Sequence, residues 1–227
     1  MKSLLLKSFI KKLASRIDPD IYQRLMAYAI LRSAFKELAA VQHFPTREQL
    51  WIKCIEDVVG SHTAITYIEF GVYQGSSISR IAALSKNADS IFIGLDSFEG
   101  LPERWNPHHQ RGAFNPKGKI PEINDARVTF IKGWFQDTWD GLSPRIHPHN
   151  ELIVHYDADL YSSTLFALTK IDTLKKPYIA IFDEFIGHET RALYDYLQAY
   201  NARISFLGQT PYMGYPMQVM CRIIPHN

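Results

Sequence analysis

Acidic residues follow two apolar runs of the sequence, at the point where each run ends. Asp157 and Asp159 come after the first run, and Asp183 and Glu184 come after the second. If the two runs are adjacent parallel strands, their carboxyl ends meet at one edge of a sheet and bring the four carboxylates together. Crowded carboxylates repel one another unless a cation lies between them. Because all-oxygen ligands suit hard cations, the pattern favours Mg²⁺ or Ca²⁺ over zinc.

A metal ion at this place would serve hydroxyl chemistry. An alcohol is a poor nucleophile at neutral pH, and a bound divalent ion lowers the pKa of its hydroxyl so that a nearby carboxylate can remove the proton. We predict that Asp157, Asp183 and Glu184 bind the metal. The predicted catalytic residues are Asp157, Asp159 as base or additional ligand, and His188 as the alternative base. The competing interpretation is that these acids only cap helices or pair with Arg and Lys.

A glycine-containing motif, YIEFGVYQGSS, points to a bound cofactor. Gly71 and Gly75 allow a tight strand-to-helix turn and leave room for a ligand against the backbone. The motif lacks the third glycine of a dinucleotide fingerprint, which disfavours a pyrophosphate ligand. We expect Glu69 to accept hydrogen bonds from a cationic amino-acid group and Asp96, at the end of the next strand, to bind both ribose hydroxyls. The alternative is a tight turn without a ligand.

Short apolar runs alternate with helical patterns from residue 66 onward, which indicates an α/β fold with a mostly parallel sheet buried on both faces. The predicted strands are 66–70, 90–96, 127–132, 151–156, 178–182, 203–208 and 218–224, and the predicted helices between them are 76–85, 163–175 and 188–200. Residues 97–125 form a long loop rich in Pro, Gly and His, which is typical of a lid or binding loop.

Residues 1–45 are predicted to form a helical extension, or lid, before a domain of residues 46–227. Residues 1–17 carry five basic residues and no acid, with apolar residues at helical spacing. We expect this helix to pack on the domain or on a second subunit, which favours a homo-oligomer. A membrane-surface helix and an organelle presequence are the alternatives. A further helix is predicted from Thr46, with Gln49 in a capping box, to Gly60.

Composition excludes several classes of protein. The net charge of +2 and the lack of a dense basic stripe argue against nucleic-acid binding. No apolar run approaches the roughly 20 residues that span a bilayer. Cys54 and Cys221 each lie in an apolar stretch, which predicts buried free thiols and a reducing compartment, the cytoplasm.

Three stretches resemble the macrocin O-methyltransferase (TylF-type) family: EFGVYQG from Glu69, GLDSFEGLP from Gly94, and HYDADLYSST from His155. Arg47 and the segment Gly133–Thr138 fit the same pattern, and the acids also resemble those of metal-dependent catechol-type methyltransferases. The resemblance implies a Rossmann-like class I methyltransferase fold with an antiparallel last strand. It also implies S-adenosylmethionine as donor and O-methylation of a small molecule or a glycan sugar. In this family the last two metal ligands are often aspartates, and here Glu184 replaces the second.

The implied cofactor site joins the glycine motif to residues after the second, third and fourth strands. Its predicted members are Glu69, Gly71, Tyr73, Gly75, Ser76, Ser77, Asp96, Ser97, Gly133, Trp134, Phe135 and Asp157. Near the C-terminus, an apolar substrate wall and core packing account equally well for Tyr212, Met213, Tyr215 and Met217.

Three other functions remain as alternatives. One is a metal-independent methyltransferase that uses His188 or Asp159 alone. Another is a fold that binds S-adenosylmethionine or a nucleotide without catalysis, which leaves the acid clusters unexplained. The third is an NAD(P)-dependent oxidoreductase, which the missing dinucleotide fingerprint and the missing Tyr-x-x-x-Lys pair disfavour.

Overall fold

Seven strands form one sheet in the computed structural model, which describes Lys11 and residues 18–226. The strands are β1 (Ile65–Phe70), β2 (Ile91–Asp96), β3 (Val128–Lys132), β4 (Glu151–Tyr156), β5 (Tyr178–Phe182), β6 (Arg203–Tyr212) and β7 (Tyr215–Ile224). Their order across the sheet is β3-β2-β1-β4-β5-β7-β6. β1 to β5 pair in parallel, and β7 runs antiparallel to β5 and β6. This arrangement confirms the predicted α/β fold with its antiparallel last strand.

Helices cover both faces of this sheet. They are α1 (Pro19–Ser33), α2 (Arg47–Ile52), α3 (Ser76–Leu84), α4 (Phe135–Leu142), α5 (Tyr161–Asp172) and α6 (His188–Tyr200). A 3₁₀-helix, Lys36–Ala40, follows α1, and a π-helix, Lys53–Val59, continues α2. As predicted, the Thr46 side chain caps α2 by accepting a hydrogen bond from the Gln49 N–H, and the helical segment ends at Gly60.

Successive residues of the strands face two separate cores. Ile68 in β1 and Val154 in β4 pack in one core with Leu168 and Leu193 of α5 and α6. Their neighbours in the strands, such as Tyr67, pack in the second core with residues of α2 and α3. Since β1 and β4 are neighbours although they are not consecutive in the chain, the order of the sheet reverses between them. A crevice beyond their carboxyl ends is the usual ligand site of such sheets.

The structure extends the sequence prediction at two places. Helix α4 is absent from the prediction, although Phe135, Thr138, Trp139 and Leu142 have helical spacing and three of them are buried. The two closing strands are also longer than predicted and form a hairpin that turns at Met213-Gly214. The long loop is confirmed, because residues 97–127 are all described and contain no helix or strand.

Three predictions concern the chain's environment. The helix predicted for residues 1–17 lies outside the described residues apart from Lys11. Among the described residues, no helix has the length and apolar character needed to cross a bilayer. Cys54 and Cys221 are both buried free thiols, as predicted, and burial raises the pKa of Cys54 to about 12.

Arg127 ties the carboxyl end of α3 to the start of β3. Its guanidinium donates hydrogen bonds to the backbone carbonyls of Ser85, Asn87 and Ala82 at 2.8–3.0 Å and pairs with Asp125 at 2.6 Å. The last carbonyls of a helix have no hydrogen-bond donor within the helix. Arg127 supplies donors to carbonyls at the end of α3 that would otherwise lack them.

We therefore expect Arg127→Met to lower the free energy of unfolding by about 2–4 kcal/mol, since several charge-assisted bonds disappear together. Denaturant titration would measure the change. Arg145→Met, at an exposed position, is the matched control and should change stability by less than about 0.5 kcal/mol. Equal effects of the two substitutions would contradict this role.

Candidate active site

A cavity of about 270 Å³ lies beyond the carboxyl ends of the central strands. The loop after β1 contributes Gly71, Val72 and Tyr73, and the segment after β2 contributes Asp96 and Ser97. Aromatic residues of the long loop cover the cavity, as do residues at the start of α4: Trp105, Phe114, Trp134 and Phe135. The acids Asp157, Asp159, Asp183 and Glu184 also line it. The predicted convergence of the strand ends on one cavity is therefore present in the structure.

Gly71 lets the chain pass close to β4. Its φ of +93° lies in the region that favours glycine, and a Cβ at this position would lie 1.8 Å from the backbone oxygen of Asp157. The Asp157 N–H also donates a hydrogen bond to the Phe70 carbonyl at 2.9 Å, which holds the ends of β1 and β4 together. Separating them to make room for a Cβ would therefore move Gly71 and Asp157, which both line the cavity.

Gly71→Ala is accordingly expected to destabilise the fold by more than about 3 kcal/mol, because the added Cβ would force the loop and the end of β4 apart. Thermal unfolding would measure the effect. Gly112→Ala is a suitable control, because Gly112 also has a positive φ but its Cβ would meet open space. If Gly71→Ala cost no more than the control, the close approach would be unimportant.

Asp96 holds the glycine loop in place. One carboxylate oxygen accepts hydrogen bonds from the N–H groups of Val72 and Tyr73, both at 2.8 Å, and the other accepts from the Phe98 N–H at 2.6 Å. Each carboxylate oxygen can accept more than one hydrogen bond, and the side chain lines the cavity. Asp96 can therefore shape the loop and still offer acceptors to a ligand.

The four acids affect one another strongly. Burial, and then the charge of Asp183, raise the pKa of Asp157 well above its usual range. Burial and the neighbouring acids raise the pKa of Asp159 to about 8, and burial with Asp183 raises that of Glu184 to about 7. For Asp183 burial also raises the pKa, but the hydrogen bond and charge of His155, together with Arg47 and Gln218, outweigh burial and lower the pKa. A bound cation would offset the repulsion among these carboxylates, and carboxylate oxygens are suitable ligands for a hard divalent ion. The residues therefore fit a divalent ion.

The buried residues beneath these acids form a polar network. The Tyr67 hydroxyl donates to Glu69 at 2.5 Å, and the Ser77 hydroxyl donates to the other Glu69 oxygen at 2.7 Å. His155 lies beside them, with Nδ1 2.8 Å from the Tyr67 hydroxyl and Nε2 3.7 Å from an Asp183 oxygen. Burial of His155 favours the neutral ring, but Asp183 and Glu69 outweigh it and raise the pKa to about 10.

A second cavity, of about 320 Å³, adjoins the first. Asp159, Glu184 and Trp105 line both cavities. The other walls of the second cavity come from α1, the start of α6 and the β6–β7 hairpin, and they include Arg24, Tyr28, His188, Tyr212, Met213, Tyr215 and Met217. The C-terminal residues considered as a substrate wall thus all line a cavity.

Asp159 and His188, the two candidate bases, differ in their ability to accept a proton. Asp159 has a φ of +59°, an uncommon conformation for a residue other than glycine, and it stands between the two cavities. His188 Nδ1 accepts a hydrogen bond from the Tyr161 N–H at 3.0 Å. In a neutral ring Nε2 then carries the hydrogen, so no ring lone pair is left to take a proton. This geometry favours Asp159 over His188 as a base.

The structure separates the predicted cofactor residues into two groups. Those that line the first cavity are Gly71, Tyr73, Asp96, Ser97, Trp134, Phe135 and Asp157. Those that do not are Glu69, Gly75, Ser76, Ser77 and Gly133. Glu69 is fully buried with both carboxylate oxygens hydrogen-bonded, so its side chain does not reach the cavity.

Sequence reasoning missed three buried polar residues near the acids. They are His155, Gln218, which donates a hydrogen bond to Asp183, and Glu189, which accepts one from the Glu184 N–H at 3.0 Å. His155 and Asp157 are two residues apart at the end of one strand, and this spacing directs side chains to the same face. That spacing is a signal that could have identified His155.

The sequence profile of the macrocin-O-methyltransferase (TylF) family matches residues 46–203. A tetracenomycin rhamnosyl 4'-O-methyltransferase of Streptomyces olivaceus is 29% identical over an aligned length of 174, with 65% of this chain and 63% of that protein covered. Demethyldecarbamoylnovobiocin O-methyltransferase of Streptomyces niveus is 24% identical over an aligned length of 140, with 52% of each chain covered. The aligned part of this chain thus spans between half and two thirds of the length of these relatives.

Solved structures share the fold. The O-methyltransferase NovP superposes with a TM-score of 0.57 at 20% identity, covering 89% of this chain and 98% of that one. An O-methyltransferase from Bacillus cereus in complex with S-adenosylhomocysteine gives a TM-score of 0.54 at 14% identity, covering 94% and 96%. At these identities the likeness establishes the class I methyltransferase fold.

Proposed function

This chain belongs to the macrocin O-methyltransferase (TylF) family, and from that premise we propose that it transfers a methyl group from S-adenosylmethionine to a hydroxyl of a small molecule or a glycan sugar. One observation carries the proposal: two cavities meet at Asp159 and Glu184. The donor would occupy the first cavity, and the acceptor would occupy the second. The hydroxyl to be methylated would then lie at the junction, between the donor and the acids.

The first cavity fits the donor. The glycine turn leaves backbone exposed to the ligand, and Asp96 offers carboxylate oxygens to ribose hydroxyls. Tyr73 and Phe114, whose rings lie 6.0 Å apart, and Trp105 line the cavity and offer apolar surface to a ligand. When bound there, S-adenosylmethionine supplies an electrophilic methyl group.

The four acids are suited to activating the acceptor hydroxyl. We propose that Asp157, Asp183 and Glu184 hold a divalent cation such as Mg²⁺. When bound, the cation lowers the pKa of the acceptor hydroxyl and fixes its orientation. Asp159 takes the proton from that hydroxyl, because it lies at the junction of the two cavities and, unlike Glu184, is not one of the proposed cation ligands. The remaining requirement is alignment of the oxygen with the methyl carbon, which the two cavity walls provide.

The relatives support the class of acceptor. One is named as the O-methyltransferase of a rhamnosyl tetracenomycin and another as that of demethyldecarbamoylnovobiocin. The second cavity suits such a molecule, because aromatic rings and thioethers offer apolar contacts while Gln23, Asn106 and His188 offer polar ones. We propose a hydroxyl on a glycosidic sugar as the acceptor.

A transfer assay would test this function. Purified protein with radiolabelled S-adenosylmethionine, a divalent cation and a panel of deoxysugar glycosides should label at least one glycoside. Matched aglycones without the sugar should remain unlabelled. Binding of S-adenosylhomocysteine with no transfer to any hydroxyl compound would instead support the alternative of a non-catalytic binding fold.

A further inference from the structure

A histidine nitrogen faces the same space as the proposed cation site. His155 is fully buried in β4 and pairs in register with Glu69 of β1. Its Nε2 is buried and has no hydrogen-bond partner among the described residues. A buried nitrogen without a partner costs free energy unless something else satisfies it. The position of His155 therefore needs an explanation that the carboxylates alone do not provide.

The hydrogen bonds of Tyr67 determine whether Nδ1 of His155 carries a hydrogen. The Tyr67 hydroxyl has a single hydrogen, which it donates to Glu69 over 2.5 Å. The contact of 2.8 Å between the Tyr67 oxygen and His155 Nδ1 must then have Nδ1–H as the donor. In the neutral ring this leaves the lone pair on Nε2, directed toward Asp183.

The distances around Nε2 match a bridging ion better than a direct hydrogen bond. Nε2 lies 3.7 Å from the Asp183 oxygen, which is too long for a hydrogen bond. Single ligand atoms of His155, Asp157 and Asp183 all lie within 4.8 Å of one another. Two ligands that are each about 2.1 Å from one ion, at angles of about 90–120°, stand roughly 3.0–3.6 Å apart, close to the separation of Nε2 and the Asp183 oxygen. Among the described residues, this group does not include Glu184.

We propose that Nε2 of His155 binds the divalent cation together with Asp157 and Asp183, and that the site consequently prefers a borderline first-row transition ion such as Co²⁺ to Mg²⁺. The inference rests on the metal-assisted function proposed above and refines its ligand set. Imidazole nitrogen favours borderline ions, whereas an all-oxygen set favours Mg²⁺. Glu184 would then stand at the edge of the site, facing the second cavity.

This assignment also explains why Glu69 is buried away from the cavity. A histidine that binds a metal usually donates its other N–H to a carboxylate or a similar acceptor, which fixes the ring and strengthens the ligand. Glu69 and Tyr67 occupy that place beside Nδ1. Without an ion, a proton on His155 balances the two neighbouring carboxylates, and a cation between the same groups supplies that positive charge instead.

Pulsed electron paramagnetic resonance of the whole protein loaded with Mn²⁺ tests the proposal without a substitution. We expect a ¹⁴N coupling of a directly bound imidazole. Bound Mn²⁺ without this coupling would overturn the role of His155 and leave the carboxylate site of the proposed function standing. If the protein did not bind Mn²⁺ at all, both the role of His155 and the carboxylate cation site of the proposed function would be contradicted.

Substitution of His155 tests whether its ring supplies the nitrogen that binds the ion. His155→Gln should abolish the ¹⁴N coupling and lower the affinity for Co²⁺ at least about tenfold, with a smaller change for Mg²⁺, because only the nitrogen ligand is lost. His147→Gln, in an exposed loop, should change neither. Retention of the coupling in His155→Gln, or equal losses for Co²⁺ and Mg²⁺, would refute the assignment. Circular dichroism would verify folding, and if His155→Gln is unfolded, the spectrum of the unsubstituted protein decides.

Discussion

Asp183→Asn is expected to lower the rate of methyl transfer by about 10²–10⁴-fold while affinity for S-adenosylhomocysteine stays nearly unchanged. Asparagine keeps the shape and one oxygen of the side chain but removes the charge that holds a cation, and a cation of this kind lowers the barrier by several kcal/mol. Asp183 follows β5 and lines the first cavity, but it is not one of the residues predicted to bind the donor. Steady-state kinetics and calorimetry with the product would separate the two effects.

Two controls accompany this experiment. Asp140→Asn, at an exposed position of α4, should leave the rate unchanged. Treatment of the unsubstituted protein with EDTA should cause a loss similar to that of Asp183→Asn, and added divalent ion should restore activity. Full activity in EDTA would contradict the metal and would favour the metal-independent alternative.

Asp159→Asn is the second substitution with a large expected effect, a loss of about 10²–10⁴-fold in kcat, because it removes the proposed general base. Binding of the cation and of S-adenosylhomocysteine should persist, since Asp159 is outside the group of closely spaced ligand atoms. Asp89→Asn, exposed and distant in the sequence, is the matched control. A fall in cation affinity would identify Asp159 as a ligand, and an unchanged kcat would remove it from the mechanism.

The fold was largely predictable because buried strands leave a strong signal. Five parallel strands appear in the sequence as apolar runs, and acids or glycine follow most of them. Once the runs are taken as neighbouring strands, the convergence of Asp157 with Asp183 follows from the geometry of a parallel sheet. The loop after β2 was predictable for a similar reason, since no periodic pattern interrupts it.

The direction of Glu69 could not be predicted, because it depends on which strand lies beside β1 and in what register. The pairing of β1 with β4 sets Glu69 opposite His155. Tyr67 and Ser77 then use its two oxygens, which takes the carboxylate out of the cavity. Spacing along one strand contains no information about such a partner from another strand.

The second cavity was also beyond sequence reasoning. Its walls come from α1, the long loop, the start of α6 and the closing hairpin, which are far apart in the chain. The Tyr28 and Tyr215 rings, 5.0 Å apart, join α1 to the hairpin. Aromatic residues near the C-terminus fit a core equally well, and only the folded arrangement distinguishes the two.

A crystal structure with S-adenosylhomocysteine, Mn²⁺ and a glycoside acceptor would test most directly whether the two cavities serve one reaction. We expect the thioether sulfur in the first cavity to face Asp159, the ion beside Asp157 and Asp183, and a sugar hydroxyl from the second cavity between them. Nucleoside bound outside the first cavity, or a sulfur turned away from the acids with no hydroxyl within reach, would contradict the account.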